Sequence, residues 1–219
     1  MAVLAIVLLL VAAYLLGSIP TGYLVARWIK GIDIRQYGSG GTGATNVLRT
    51  VGKGAAIAVL IIDLLKGLLA VLVAIALWPQ IAAVAPQGAL APQWQPWITM
   101  LAGLMALVGH SKSVWINFTG GKSAASGLGV LIGLAWPVAL GAAIAFSLTL
   151  ALSRIVSLGS IAAAIAAMVL MVATGQPLPY VVLGTLGAVY VILRHRSNID
   201  RLLAGTEPRL GQQPSNHGG

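Results

Sequence analysis

Residues 2–26 read AVLAIVLLLVAAYLLGSIPTGYLVA, a run without a single charge. As a helix rising ~1.5 Å per residue it is about 38 Å long, enough to cross the ~30 Å hydrocarbon core of a bilayer. A secretion signal would open on a positive segment, whereas the first cation here is Arg27, after the apolar run. Cations favour the cytoplasmic side, so the N-terminus is expected outside and the loop that follows in the cytoplasm. Gly17-Ser18-Ile19-Pro20-Thr21-Gly22, near the inner end, is read as a kink or a close helix contact.

The rest of the chain shares this character. Of its 219 residues 58% are hydrophobic and 8% charged, with a mean hydropathy of +0.95. That leaves too little polar surface to coat a water-facing domain, and membrane lipid is the expected solvent. Positive inner loops account for the net charge of +9, so no nucleic-acid partner is expected. Without cysteine there is neither a disulfide nor a thiolate metal site. Three histidines and four carboxylates leave little material for any metal centre, and no metal or cofactor is expected.

Outward from the first run, apolar segments recur at 55–78, 98–110, 121–136, 138–153, 156–174 and 178–193. The expected fold is therefore an all-α polytopic integral membrane protein of seven transmembrane helices, with an outside N-terminus and a cytoplasmic C-terminus. Under this topology 12 of the 13 Lys/Arg fall in or beside inner loops, and the outer segments 79–97 and 175–177 have none. Dropping one span would put either the loop at 38–49 or the basic tail outside. No internal repeat or soluble domain is visible, so 1–210 is read as one membrane domain and 211–219 as a disordered tail.

Polar residues cluster on the expected inner side. Gly38-Ser39-Gly40-Gly41-Thr42-Gly43-Ala44-Thr45-Asn46-Val47-Leu48-Arg49 combines glycines, which let backbone N–H groups converge on an anion, with hydroxyl and amide donors. Its closing Arg49 offers a planar fork for phosphate oxygens. Gly120-Gly121-Lys122-Ser123 opens the fourth span, and a helix N-terminus with free N–H groups and an adjacent lysine suits phosphate. It is not a Walker A loop, because Ile116 stands where that pattern needs glycine. The third cluster is His195-Arg196-Ser197-Asn198 with Arg201 and Glu207; His195 and Asn198 share a face if the last helix continues. Ser157 and Ser160, beside Arg154, form a weaker fourth element. Asp63 and Lys66 are read as a buried structural pair.

Three stretches resemble the motifs of the bacterial membrane acyl-phosphate:glycerol-3-phosphate acyltransferases, the PlsY family. They are GSGGTGATNVLR (38–49), GHSKSVWINFTGGKSAASGLG (109–129) and HRSNIDRLLAGTEPRL (195–210). The similarity spans essentially the whole chain, in order. It implies transfer of a fatty acyl group from acyl phosphate to the 1-hydroxyl of sn-glycerol 3-phosphate, giving 1-acylglycerol 3-phosphate and phosphate in phospholipid synthesis at the inner membrane. It further implies that acyl-CoA and metals are not used. Carried over to this sequence, Ser39, Arg49, Lys122, His195 and Asn198 are the catalytic candidates. Gly38, Gly40, Gly43, Thr45, Asn46, Gly120, Gly121, Ser157 and Glu207 are the substrate-binding ones.

The sequence departs from that family where Gly41 replaces a usual Asn, Ser113 a Pro, Thr119 a Lys, and Ser123-Ala124 a Gly-Val pair. Two phosphate-bearing substrates need two adjacent anion sites, which three inner clusters can build, while the apolar tail lies between helices. The base is left open between His195 and the phosphate of the acceptor. A small-anion transporter would want similar glycine loops, but also an inverted repeat and midplane charges from both halves. A lipid-binding scaffold would need the basic clusters without His195 and Asn198 at helical spacing.

Overall fold

The computed structural model describes residues 1–86 and 90–211. Apart from Gly211, the tail expected to be disordered lies outside the described residues. Among these residues ten α-helices follow one another: α1 (Ala2–Ser18), α2 (Thr21–Lys30), α3 (Ala44–Thr50), α4 (Lys53–Ala83), α5 (Gln95–Ser111), α6 (Ala124–Leu134), α7 (Trp136–Ser153), α8 (Val156–Ala173), α9 (Leu178–Arg194) and α10 (Arg196–Leu203). Among the described residues there is no strand, only an isolated bridge between Ser113 and Thr119.

Helices stand at all seven expected apolar positions, with changed ends. The first is interrupted at Ile19-Pro20, where proline brings no N–H and its ring disturbs the preceding turn, and the chain resumes as α2. The fourth begins only at Ala124, which leaves Gly120–Ser123 as a loop; its 11 residues rise about 16 Å, half a hydrocarbon core. Among the described residues four helical stretches are long and apolar enough to cross a membrane: Ala2–Lys30, Lys53–Ala83, Trp136–Ser153 and Val156–Ala173. A fifth is added if α9 and α10, bent by 60°, count as one.

Lipid tails are as apolar as leucine, so helices in a bilayer associate through close packing rather than hydrophobic expulsion. α4 sits at the centre of this packing, touching α1, α2, α3, α5 and α6. Against α6 the approach is backbone to backbone. A Cβ on Gly67 would stand 2.1 Å from the Ser126 carbonyl oxygen, and one on Gly129 would stand 1.9 Å from that of Leu64. α1 and α5 meet likewise through Gly17 and Gly109. On the buried side of α4, Lys66 Nζ pairs with Asp63 Oδ1 at 2.8 Å and donates at 2.9 Å to the Ile19 carbonyl, which the break before α2 leaves accessible.

We predict that Gly129→Val, which forces α4 and α6 apart, costs about 1–3 kcal/mol of stability and lowers the thermal midpoint in detergent. Gly127→Ala, whose methyl would meet nothing nearer than Leu107 at 3.8 Å, should leave the midpoint in place. Equal midpoints for the two variants would contradict this packing.

Candidate functional site

Where the three polar clusters meet, the structure encloses a cavity of about 440 Å³. Its polar end takes residues from three segments far apart in sequence: Ser39, Thr45 and Arg49, then Gly121 and Lys122, then His195, Asn198 and Glu207. The rest is apolar, walled by Leu131 of α6, Ala142 and Phe146 of α7, Ala163 and Ala167 of α8, and Gly187 of α9. One space thus offers charge at one end and a hydrocarbon environment at the other.

Asn46 builds the first loop. Its buried Nδ2 donates to the carbonyls of Gly41 (2.8 Å), Tyr37 (3.0 Å) and Ile34 (3.3 Å), while Oδ1 accepts the Ser39 N–H at 3.0 Å. The Gly40 N–H goes to the Tyr37 carbonyl. These amides are committed inside the loop, so the converging glycine nest expected from the sequence is partly used up by the fold. Gly38 and Gly40 lie outside the cavity wall and adopt positive φ (58° and 69°); a Cβ on Gly38 would stand 2.2 Å from Asn46 Oδ1. Gly43 does line the cavity. Among the described residues Arg49, on α3, makes no side-chain hydrogen bond or ion pair, which leaves its guanidinium available to a ligand.

The second loop folds back on the end of α5. Gly121 N–H donates to the His110 carbonyl at 3.1 Å, and a Cβ on Gly120 would stand 2.3 Å from that oxygen, so Gly120 serves this approach rather than the cavity wall. Arg194 Nη2 donates to the Gly121 carbonyl at 3.2 Å, joining the loop to the end of α9. Ser123 then turns the chain into α6 with φ 62°, a left-handed geometry that a glycine would adopt without strain. Its hydroxyl compensates by donating to the Leu107 carbonyl at 2.8 Å and meeting the Ser111 hydroxyl. Ala124 and Ala125, in the first turn of α6, reach the cavity beside Lys122. The Arg35 guanidinium ties this region to the first loop: it pairs with Asp33 and donates to the Ile116 carbonyl at 3.1 Å.

Glu207 organises the third cluster. Its Oε1 accepts from Asn198 Nδ2 (2.6 Å) and Ser157 Oγ (2.7 Å), and its Oε2 from Arg201 Nε (2.7 Å). With its amide nitrogen turned to that carboxylate, Asn198 presents Oδ1 to Lys122 Nζ, which donates to it. Burial alone would raise the Glu207 pKa, but its three donors outweigh burial and hold it below the ordinary value. Lys122 is shifted down to about 8, first by burial and then by the cations Arg201, Arg194 and Arg49, with Glu207 opposing them. Such a gathering of cations around a half-buried lysine favours an anion. His195 is pushed down to about 4, chiefly by burial. Its Nδ1 lies 2.7 Å from the Val191 carbonyl, an acceptor, so Nδ1 carries the proton and Nε2 is left as an acceptor.

Of the candidates read from sequence, the cavity wall contains Ser39, Gly43, Thr45, Asn46, Arg49, Gly121, Lys122, Ser157, His195, Asn198 and Glu207. Gly38, Gly40 and Gly120 stand behind it. Asp63 and His110 also line the cavity, and neither was singled out as a site residue. The sequence signal was available for Asp63, a charge inside an apolar run, but a pairing with Lys66 already accounted for it.

A protein-family model described as glycerol-3-phosphate acyltransferase matches residues 7–205. A protein of Trichormus variabilis named glycerol-3-phosphate acyltransferase is 54% identical over 209 residues, covering 93% of this chain and 91% of that one. The crystal structure of PlsY, an integral membrane glycerol 3-phosphate acyltransferase, in its glycerol 3-phosphate form has a TM-score of 0.82 at 35% identity, covering 94% of this chain and 96% of that chain. Its lysophosphatidic acid form gives 0.79 at 34% identity over the same shares of the two chains.

A carboxylate held below its ordinary pKa contributes stability that is complete above the unfolded value, here 4.5, and lost as pH falls through the folded one. We therefore predict that the thermal midpoint in detergent drops on acidification below 4.5, and that Glu207→Gln has a lower midpoint at neutral pH and a shallower acid decline. An acid decline unchanged in Glu207→Gln would contradict this role.

Proposed function

The chain belongs to the glycerol-3-phosphate acyltransferase family, and from that premise we propose that it transfers a fatty acyl group from acyl phosphate to the 1-hydroxyl of sn-glycerol 3-phosphate. The products are lysophosphatidic acid and inorganic phosphate. The observation that carries this reading is one cavity joining a cationic end, built from three separate segments of the chain, to an apolar limb between helices. An acyl phosphate has that same division, and the acceptor brings a second phosphate to the cationic end.

In the proposed reaction the acceptor hydroxyl oxygen attacks the acyl carbonyl carbon, and the carbon–oxygen bond to phosphate breaks with its electrons leaving on phosphate. Lys122 and Arg49 stabilise that developing charge, assisted by the free amides at the start of α6. Ser39 and Thr45 donate to phosphate oxygens, while Asn198, held by Glu207, keeps Lys122 in place. His195 accepts a hydrogen bond from the attacking hydroxyl through Nε2 and orients it. With a pKa of about 4 the imidazole is a poor final store for a proton. The hydroxyl proton therefore passes to a phosphate oxygen of the substrates. Alignment of this kind accounts for about 7–11 kcal/mol of a barrier in favourable cases.

The proposed topology has seven spans, an outside N-terminus and the cationic end of the cavity on the cytoplasmic side of the inner membrane. Because the chain has no cysteine, single cysteines report sidedness cleanly. Gln176→Cys is expected to react with an impermeant maleimide in intact cells, and Lys53→Cys only after permeabilisation. Reaction of Lys53→Cys from outside would overturn the topology.

A buried charge-assisted contact is worth about 1.5–3 kcal/mol, so Lys122→Met is expected to lower kcat/KM for acyl phosphate and glycerol 3-phosphate at least about tenfold. Lys112→Met, which removes a plain inner-loop charge, serves as the control. Lys122 carries its proton below a pKa of about 8, so kcat/KM should decline as pH rises through that value. Lys122→Arg, protonated throughout, should lose this alkaline decline. Full activity of a folded Lys122→Met, or an alkaline limb unchanged in Lys122→Arg, would refute the role of Lys122.

A further inference from the structure

Beneath the second loop lies a buried group that the proposed chemistry does not use. Asp63 and Lys66 are paired at 2.8 Å, and His110, at the end of α5, places Nδ1 3.6 Å from Asp63 Oδ1. All three side chains are almost fully buried. Asp63 and Lys66 suffice to offset each other's charge, so the histidine needs another explanation. It has a second neighbour. Gly121 lies against the imidazole so closely that a Cβ there would stand 2.1 Å from Nε2 and 2.9 Å from Cε1. The same residue accepts the Gly121 N–H through its carbonyl, and Gly120 packs on that carbonyl. One residue thus supports the loop with both its backbone and its ring, one position before Lys122.

We propose that His110, backed by the Asp63–Lys66 pair, is the positioning residue that sets the height of the Gly120–Lys122 loop and, through it, the place of Lys122 Nζ at the cationic end of the cavity. This rests on the reading of Lys122 as the phosphate-binding cation. The support runs without interruption from the helix break before α2 to the reaction site. Ile19 holds Lys66, Lys66 holds Asp63, Asp63 faces His110, and His110 carries Gly121. Neither Asp63 Oδ1 nor His110 Nδ1 has an aligned hydrogen bond, so the close packing of the ring between Asp63 and Gly121 does the holding. Although His110 also reaches the cavity wall, its contact with Gly121 is the route by which it acts on Lys122.

The test is a double-mutant cycle in the full-length protein, with acyl phosphate and glycerol 3-phosphate as substrates. His110→Ala removes the ring but keeps the backbone bond to Gly121. It is expected to lower kcat/KM on the order of tenfold to a hundredfold, the effect of a displacement of about 1 Å at a catalytic group. Asp63→Asn should act in the same direction. Lys122→Met added to His110→Ala should cost less than about threefold more, because a misplaced lysine has little left to lose. A merely structural role predicts that the two losses multiply, and that result would overturn the proposal, as would full activity of His110→Ala. A harmless Lys122→Met in the otherwise native chain would instead overturn the reading of Lys122 itself. Should His110→Ala lose its thermal transition, Gly121→Ala makes the same cycle from the loop side, since its methyl must displace the loop from Nε2.

Discussion

The carboxylate of Glu207 accepts from Ser157 of α8, from Asn198 and from Arg201 at once. The polar end of the cavity depends on this convergence. It fixes which way the Asn198 amide faces, and so decides that Lys122 meets an oxygen and not an N–H. It also brings the last part of the chain back over the start of α8, closing a site whose other walls come from residues 39–49 and 121–125. Removing this acceptor leaves the buried donors Ser157 and Asn198 unsatisfied, at about 1–3 kcal/mol apiece, while the more exposed Arg201 can turn to water. The carboxylate is therefore structural and electrostatic at the same time.

Lys122 and its surrounding arginines outnumber that one carboxylate, and burial weakens the water that would otherwise screen them. Such a cluster is incomplete without an anion. In the proposed reaction both substrates carry the phosphate that would supply the missing charge. The apolar limb explains why this anion site lies inside a membrane protein: a phosphate joined to a long hydrocarbon is held at both ends only where the cationic loops and the helix interior share one space.

Helix positions were legible in the sequence because lipid demands long apolar runs, and the positions of Arg27, Arg154 and Arg194 punctuated them. Helix ends were less so. Nothing local marks Gly120–Ser123 as loop and not helix; that outcome follows from Gly120 and Gly121 packing on His110 in α5 and from the left-handed Ser123. The glycines of residues 38–43 looked alike in sequence, yet Gly43 faces the cavity while Gly38 makes room for Asn46. His110 was invisible as a support because Asp63 comes from another helix, and only the fold turns Gly121 of the same motif back against its ring. Single-residue chemistry was readable from spacing; contacts between loops needed the fold.

The central claim is that one site handles a phosphate leaving group together with a phosphate-bearing acceptor. Its most direct test follows inorganic phosphate and lysophosphatidic acid together, using the purified protein with acyl phosphate and glycerol 3-phosphate. The account predicts one phosphate released for each lysophosphatidic acid formed, and no product when acyl-CoA replaces acyl phosphate. Comparable turnover with acyl-CoA, or acylation without matching phosphate release, would contradict it.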